Sequence, residues 1–331
     1  FNAYTQQFNY DVKTVFLNKE YLKKYITKYG QDKLQKYLYV FKKFIKTFQP
    51  KFQTIITDEL LSDVIIRIHN YNYPVINDQT FNNNTSLVGV SYLKSIFNSY
   101  WKSSYKNRLS PVAAWENEKI MDSVIRYRIG LNNSGEIFDF SFHQLIRGLS
   151  ALRLTISFFK PILAASIYKH FIGNIPNPTV FDPCCGFGGR LLAFKSLYPN
   201  GTYIGCEPNI DTFNELQTLA LNFKNVEIHN CRIEDFDLNK LPDIDMTFTS
   251  IPYYDLESYS NQIEYSNYEI WKETFLSKIK KCPNAVINIP VNLRNEFNSI
   301  DSEYYITSNT SHFNKNQSTK FEYLLKFNWK C

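Results

Sequence analysis

From residue 177 onward, short runs rich in β-branched and aromatic residues alternate with stretches of helical spacing, and no other feature narrows the fold as far. The runs are Thr179-Val180-Phe181-Asp182, Thr202-Tyr203-Ile204-Gly205-Cys206-Glu207, Val226-Glu227-Ile228-His229, Asp245-Met246-Thr247-Phe248-Thr249 and Ala285-Val286-Ile287-Asn288-Ile289. Strands joined through helices run side by side in one direction. The expectation is therefore a Rossmann-like α/β fold, a parallel sheet with helices on both faces. Two further alternating runs, residues 303–307 and 321–327, predict an antiparallel hairpin on the sheet edge.

Ahead of this pattern the apolar residues recur at helical spacing. Tyr21, Leu22, Tyr25 and Ile26, then Leu34, Tyr37, Leu38, Phe41, Phe44, Ile45 and Phe48, predict two amphipathic helices parted near Gly30. The polar stretch 77–86 reads as a loop, helical spacing returns over 87–129, residues 130–135 read as a turn, and another helix is expected after Phe142. This gives a mostly helical region over residues 1–150 and an α/β domain over 151–331. A formal charge of +6, from 37 basic and 31 acidic residues, demands no polyanionic partner. Its distribution says more, because the first 51 residues carry eleven lysines against Asp11, Glu20 and Asp32. Such a surface serves solvation and phosphate contact equally well.

The first run opens into Pro183-Cys184-Cys185-Gly186-Phe187-Gly188-Gly189-Arg190 ahead of a helix. Glycines there let a ligand cross the carboxyl ends of the strands close to the backbone. The segment lacks both the Gly-Lys-Ser/Thr of a P-loop and the G-x-G-x-x-G spacing of a dinucleotide site. Asp182 at the strand end suits a positively charged ligand. Glu207 ends the second run, where a carboxylate can accept from both hydroxyls of a ribose. Asp235, with Glu234 as its alternative, follows the third run beside the aromatic Phe236, a setting in which an adenine ring could be held. Together these residues predict an adenosine-containing ligand.

The fourth run leads into Thr249-Ser250-Ile251-Pro252-Tyr253-Tyr254-Asp255-Leu256-Glu257. The string resembles the catalytic tetrapeptide of the class I amino-methyltransferases, which is Asp, Asn or Ser, then Pro, Pro, and Tyr or Phe. Over its length it is similar to the form found in phage-type DNA methylases. Ser250, Pro252 and Tyr253 match, whereas Ile251 departs from the commoner proline, as in the related rRNA adenine dimethyltransferases. The resemblance implies S-adenosyl-L-methionine as cofactor and an exocyclic base amine, N6 of adenine or N4 of cytosine, as target. Hydrogen bonds from that amine to the Ser250 side chain and the Ile251 carbonyl would draw its delocalised lone pair toward tetrahedral geometry. Tyr253 would stack on a flipped base, and Pro252 would stiffen the turn.

The likeness extends upstream to Thr155-Ile156-Ser157-Phe158-Phe159-Lys160-Pro161-Ile162, which resembles the segment lining the methionine end of the cofactor in that family. It adds Ser157, Phe159, Lys160 and Pro161 to Asp182, Pro183, Cys184, Gly186, Gly188, Glu207 and Asp235 as expected cofactor residues. DNA is the leading polymer, and a restriction-modification setting goes with it. RNA adenine methylation and a catalytically silent nucleic-acid-binding subunit are the alternatives. Recognition of duplex DNA would fall to the basic N-terminal region, the loop after Tyr254, or a partner in a homo- or hetero-oligomer. Six cysteines and five histidines show no metal-ligand spacing, so no metal is expected. The chain has no apolar run of membrane-spanning length, and a soluble, intracellular protein is the expectation.

Overall fold

The computed structural model describes residues 16–17, 59–76, 78–83, 86–105, 108–131, 138–139, 142–252, 257–258, 267–308 and 320–329. The two expected amphipathic helices and their lysines lie outside the described residues, as does Tyr253. Two compact units divide the chain, one within Phe1–Ile55 and Trp101–Ile156, the other within Ile56–Tyr100 and Ser157–Cys331. The first holds helices Pro111–Glu116, Glu118–Leu131 and Phe142–Ala151, and a two-residue ladder of Phe16–Leu17 with Phe138–Asp139. Ser110 caps the first of these by accepting from the Ala113 amide, with Pro111 at the position where a missing N–H costs nothing. Gly130 and Leu131 are helical, and the rest of the turn expected over 130–135 lies outside the described residues.

The second unit is built on an eight-stranded sheet. Its strands are β1 (Thr80–Asn82), β2 (Thr179–Asp182), β3 (Thr202–Cys206), β4 (Val226–His229), β5 (Met246–Ser250), β6 (Ala285–Ile289), β7 (Ser302–Ser308) and β8 (Lys320–Phe327). Their order across the sheet is β1-β7-β8-β6-β5-β2-β3-β4. All neighbours are parallel except at β8, which runs against both β6 and β7. The five runs read from the sequence are β2 to β6, and the Rossmann-like α/β architecture holds. The hairpin holds too, but it does not form the edge. Its outer strand β7 is covered by β1, which comes from the stretch expected to be a loop. Polar composition misled there. Phe81 is buried and packs its ring on His170, Phe171 and Tyr304, so a single aromatic anchor and ladder bonding outweigh the asparagines around it.

The helices of this unit are α1 (Leu61–His69), α2 (Val90–Ile96), α3 (Pro161–Phe171), α4 (Gly189–Leu197) and α5 (Ile210–Ala220), with a further helical stretch from Tyr268 that passes through a π-turn, Lys272–Leu276. Tyr168 of α3 stacks edge-on against both Phe194 of α4 and Phe248 of β5, closing one face of the sheet. On the other face Phe181, Ile204, Ile287 and Leu325 meet Trp271, Phe275 and Leu276. The central parallel strands are covered on both faces, which is why they read as nearly continuous apolar runs. No helix among the described residues is long and apolar enough to cross a membrane.

Candidate active site

A cavity of about 390 Å³ lies at the carboxyl ends of the parallel strands, where β2 and β5 are neighbours and the chain leaves them in opposite directions across the sheet. One wall is the glycine loop between β2 and α4. Gly186 has φ +55° and nothing within 4 Å of where a Cβ would stand, so the backbone itself is the cavity surface there. At Gly189 the opposite constraint holds, since a Cβ would lie 2.1 Å from the Phe159 carbonyl oxygen. That contact seats the start of α4 against the 157–160 segment. Ser157, Phe159 and Lys160 line the cavity from that segment, and the Lys160 ammonium donates to the Asn83 carbonyl. Pro161 is buried as the first residue of α3 and does not line the cavity, and Gly188 caps α4 behind it.

Glu207 stands at the end of β3, 8% exposed, with one oxygen accepting from the Gly186 amide at 3.0 Å and the other from the Asn209 amide at 2.9 Å. A carboxylate has about four lone-pair sites, so two remain for hydroxyl donors from a ligand. Burial pushes its pKa up to about 7. Beyond it, Cys231, Ile233, Glu234 and the exposed Asp235 line the cavity, with Arg232 paired to Glu234 at 2.6 Å. Phe236 is not the expected aromatic wall. It is buried and stacked on Phe181 at 5.2 Å, part of the core beneath.

Asp182 also departs from expectation. It is fully buried behind the cavity wall, and its oxygens accept from Arg190 Nε at 2.7 Å, Arg190 Nη2, Tyr203 Oη at 2.6 Å, Thr249 Oγ1 at 2.8 Å and the Cys184 amide. Five donors leave no room for a ligand. A buried carboxylate faces whatever cation is held closest, and here that cation is Arg190 from the first turn of α4. Arg190 in turn donates to the Cys184 carbonyl and lies 5.2 Å from the Phe159 ring centroid. Asp182 thus fixes the loop whose Pro183, Cys184 and Gly186 line the cavity. Burial pushes the Cys184 and Cys185 thiols well up, away from nucleophilic chemistry.

At the other end of the cavity stand Ser250, the last residue of β5, and Ile251 and Pro252 after it. Ile251 is 2% exposed, with its side chain in the apolar core and its amide bonded to the Asn288 carbonyl. Ser250 Oγ is 2.8 Å from Asn288 Oδ1, and Asn288 Nδ2 is 3.1 Å from a Glu322 carboxylate oxygen. Arg190, Asn288 and Glu322 all line the cavity, and none was singled out from the sequence. A signal existed for Asn288, the one polar side chain in an otherwise apolar strand. Among the described residues no cluster of His, Cys, Asp or Glu could hold a metal ion.

No family model and no curated protein matches the chain in sequence. Among solved structures, the METTL16 methyltransferase domain aligns at a TM-score of 0.40 and 11% identity, over 59% of this chain and 84% of that one. TrmN from Thermus thermophilus aligns at 0.37 and 13%, over 58% of this chain and 57% of its own. A precorrin-6y C5,15-methyltransferase from Geobacter metallireducens aligns at 0.33 and 13%, over 49% and 84%.

Proposed function

We propose that this chain is an S-adenosylmethionine-dependent methyltransferase acting on an exocyclic amino group of a nucleic-acid base, with DNA as the polymer. One observation carries the reading: a single cavity joins the Gly186–Glu207 cradle to Ser250, Ile251 and Pro252. The cradle suits adenosine because an open backbone surface adjoins a carboxylate with unused acceptor capacity. Glu207 would take the ribose hydroxyls, Ile233 and Asp235 the adenine side, and Ser157 to Lys160 the methionine end. When bound, the cofactor supplies an electrophilic methyl on a sulfonium.

The protein's part is to hold the amine and to stabilise the charge it acquires. Ser250 Oγ and the Ile251 carbonyl accept its two hydrogens, which frees the lone pair from the ring. Tyr253, outside the described residues, would stack on the base. The proton left after transfer passes to water. Ile251 in place of proline favours a second reading, adenine in RNA, through its resemblance to the rRNA dimethyltransferases.

Calorimetry with S-adenosylhomocysteine and labelled methyl transfer to matched DNA and RNA test the proposal together. Ser250→Ala is expected to lower kcat by about a hundredfold or more with cofactor affinity kept, and Tyr253→Ala to raise KM for the polymer. A folded chain that does not bind S-adenosylhomocysteine, or a Ser250→Ala variant of full activity, overturns it.

A further inference from the structure

We infer that Asn288 is a positioning residue that commits the Ser250 hydroxyl to accept, and that Glu322 orients Asn288 for this task. The inference rests on the amino-methyltransferase reading above and deepens it. A serine hydroxyl has one hydrogen and two lone-pair sites, so it can meet an amine either as donor or as acceptor. Only acceptance draws the amine's lone pair out of the ring. Something must therefore take up the hydroxyl hydrogen.

Asn288 is 2% exposed and sits opposite Ser250 in the parallel register of β5 and β6. Its amide nitrogen faces a Glu322 carboxylate oxygen at 3.1 Å and the Tyr323 carbonyl at 3.3 Å. Both are acceptors, so the NH₂ group must point toward β8 and the amide oxygen toward Ser250. Against that oxygen, at 2.8 Å, the hydroxyl has no choice but to donate. Its lone pairs then remain for the substrate. The polarity runs in one direction from carboxylate through amide to hydroxyl, each bond strengthening the next.

Steady-state methyl transfer by the full chain, with S-adenosylhomocysteine calorimetry alongside, reads this role. Asn288→Leu is expected to lower kcat at least about tenfold while KM for the polymer and cofactor affinity stay within about twofold. In a Ser250→Ala background the same substitution should cost nothing further, because no hydroxyl is left to orient. A purely structural role would lower kcat equally in both backgrounds, and that result overturns the inference. Should the leucine variant fail to fold, Asn288→Asp serves. Its new carboxyl and that of Glu322 must share a proton to face each other, so kcat should fall as pH rises, in a limb absent from the parent and removed by adding Glu322→Gln. Absence of that limb, with parental kcat throughout, also overturns it. A parent chain that methylates neither polymer defeats the functional reading and this one with it, whereas an active parent with indifferent Asn288 variants defeats this one alone.

Discussion

Two demands meet on the Glu207 carboxyl. Its surroundings disfavour charge, since burial lifts it from the ordinary 4.5 to about 7, while ribose hydroxyls bind best to the ionised form. A raised carboxyl adds stability that is full below its ordinary value and is lost as pH climbs through about 7. On the proposed reading, ligand binding would run the other way and expel the proton. S-adenosylhomocysteine affinity is thus expected to be about tenfold weaker near pH 6 than near pH 8, and flat with pH in Glu207→Gln; a flat parental profile in calorimetry would contradict this. Glu207 and Gly186, both marked in the sequence as a strand-end acid and a glycine turn, line one cavity and bond each other. Asp182 likewise ends its strand, but its partner, Arg190, comes from the start of the helix that follows, and spacing alone does not tell a ligand's cation from the chain's own. Asn288 was overlooked for a related reason: what it does depends on Ser250 and Glu322, distant in sequence and adjacent only across the sheet.

At the level of elements, strand identity was carried by local pattern and strand position was not. The alternation that marks β2 to β6 is written within each segment, whereas the insertion of β8 between β6 and β7, and the capping of β7 by Thr80–Asn82, are agreements between segments. The close seating of α4 on residue 159 is likewise invisible until both are folded. It leads to a sharp expectation. Gly189→Ala places a Cβ against the Phe159 carbonyl, and since the start of α4 or the 157–160 segment must shift, the loss should be about 1–3 kcal/mol in denaturant unfolding. The displaced segment carries Ser157 and Lys160, so S-adenosylhomocysteine binding should weaken as well. An alanine variant with parental stability and affinity would show that the segment is not held by this contact.

Over the whole molecule, the boundary expected near residue 150 does not coincide with the limits of the unit that holds the sheet, which takes in residues 56–100. Within that unit β1 pairs with β7, and His69 of α1 bonds the Ser196 carbonyl of α4 at 3.0 Å. A fragment of residues 151–331 would leave β7 as a bare sheet edge and α4 without α1. It is expected to aggregate or to lack a cooperative thermal transition, whereas the chain from residue 56 to 331 has every element of the unit; circular dichroism melts of the two compare them directly. The reversed direction of β8 carries a last consequence. The other sheet residues of the cavity, Ser250 and Asn288, sit at or near the ends of strands, but Glu322 sits near the beginning of one. Its presence at the cavity is set by how the hairpin is zipped. A slip of one residue in β8 would turn Glu322 to the opposite face and bring an aromatic neighbour round in its stead. Changes in β8 that altered its pairing with β6 and β7 would therefore reach the cavity without touching any residue that lines it.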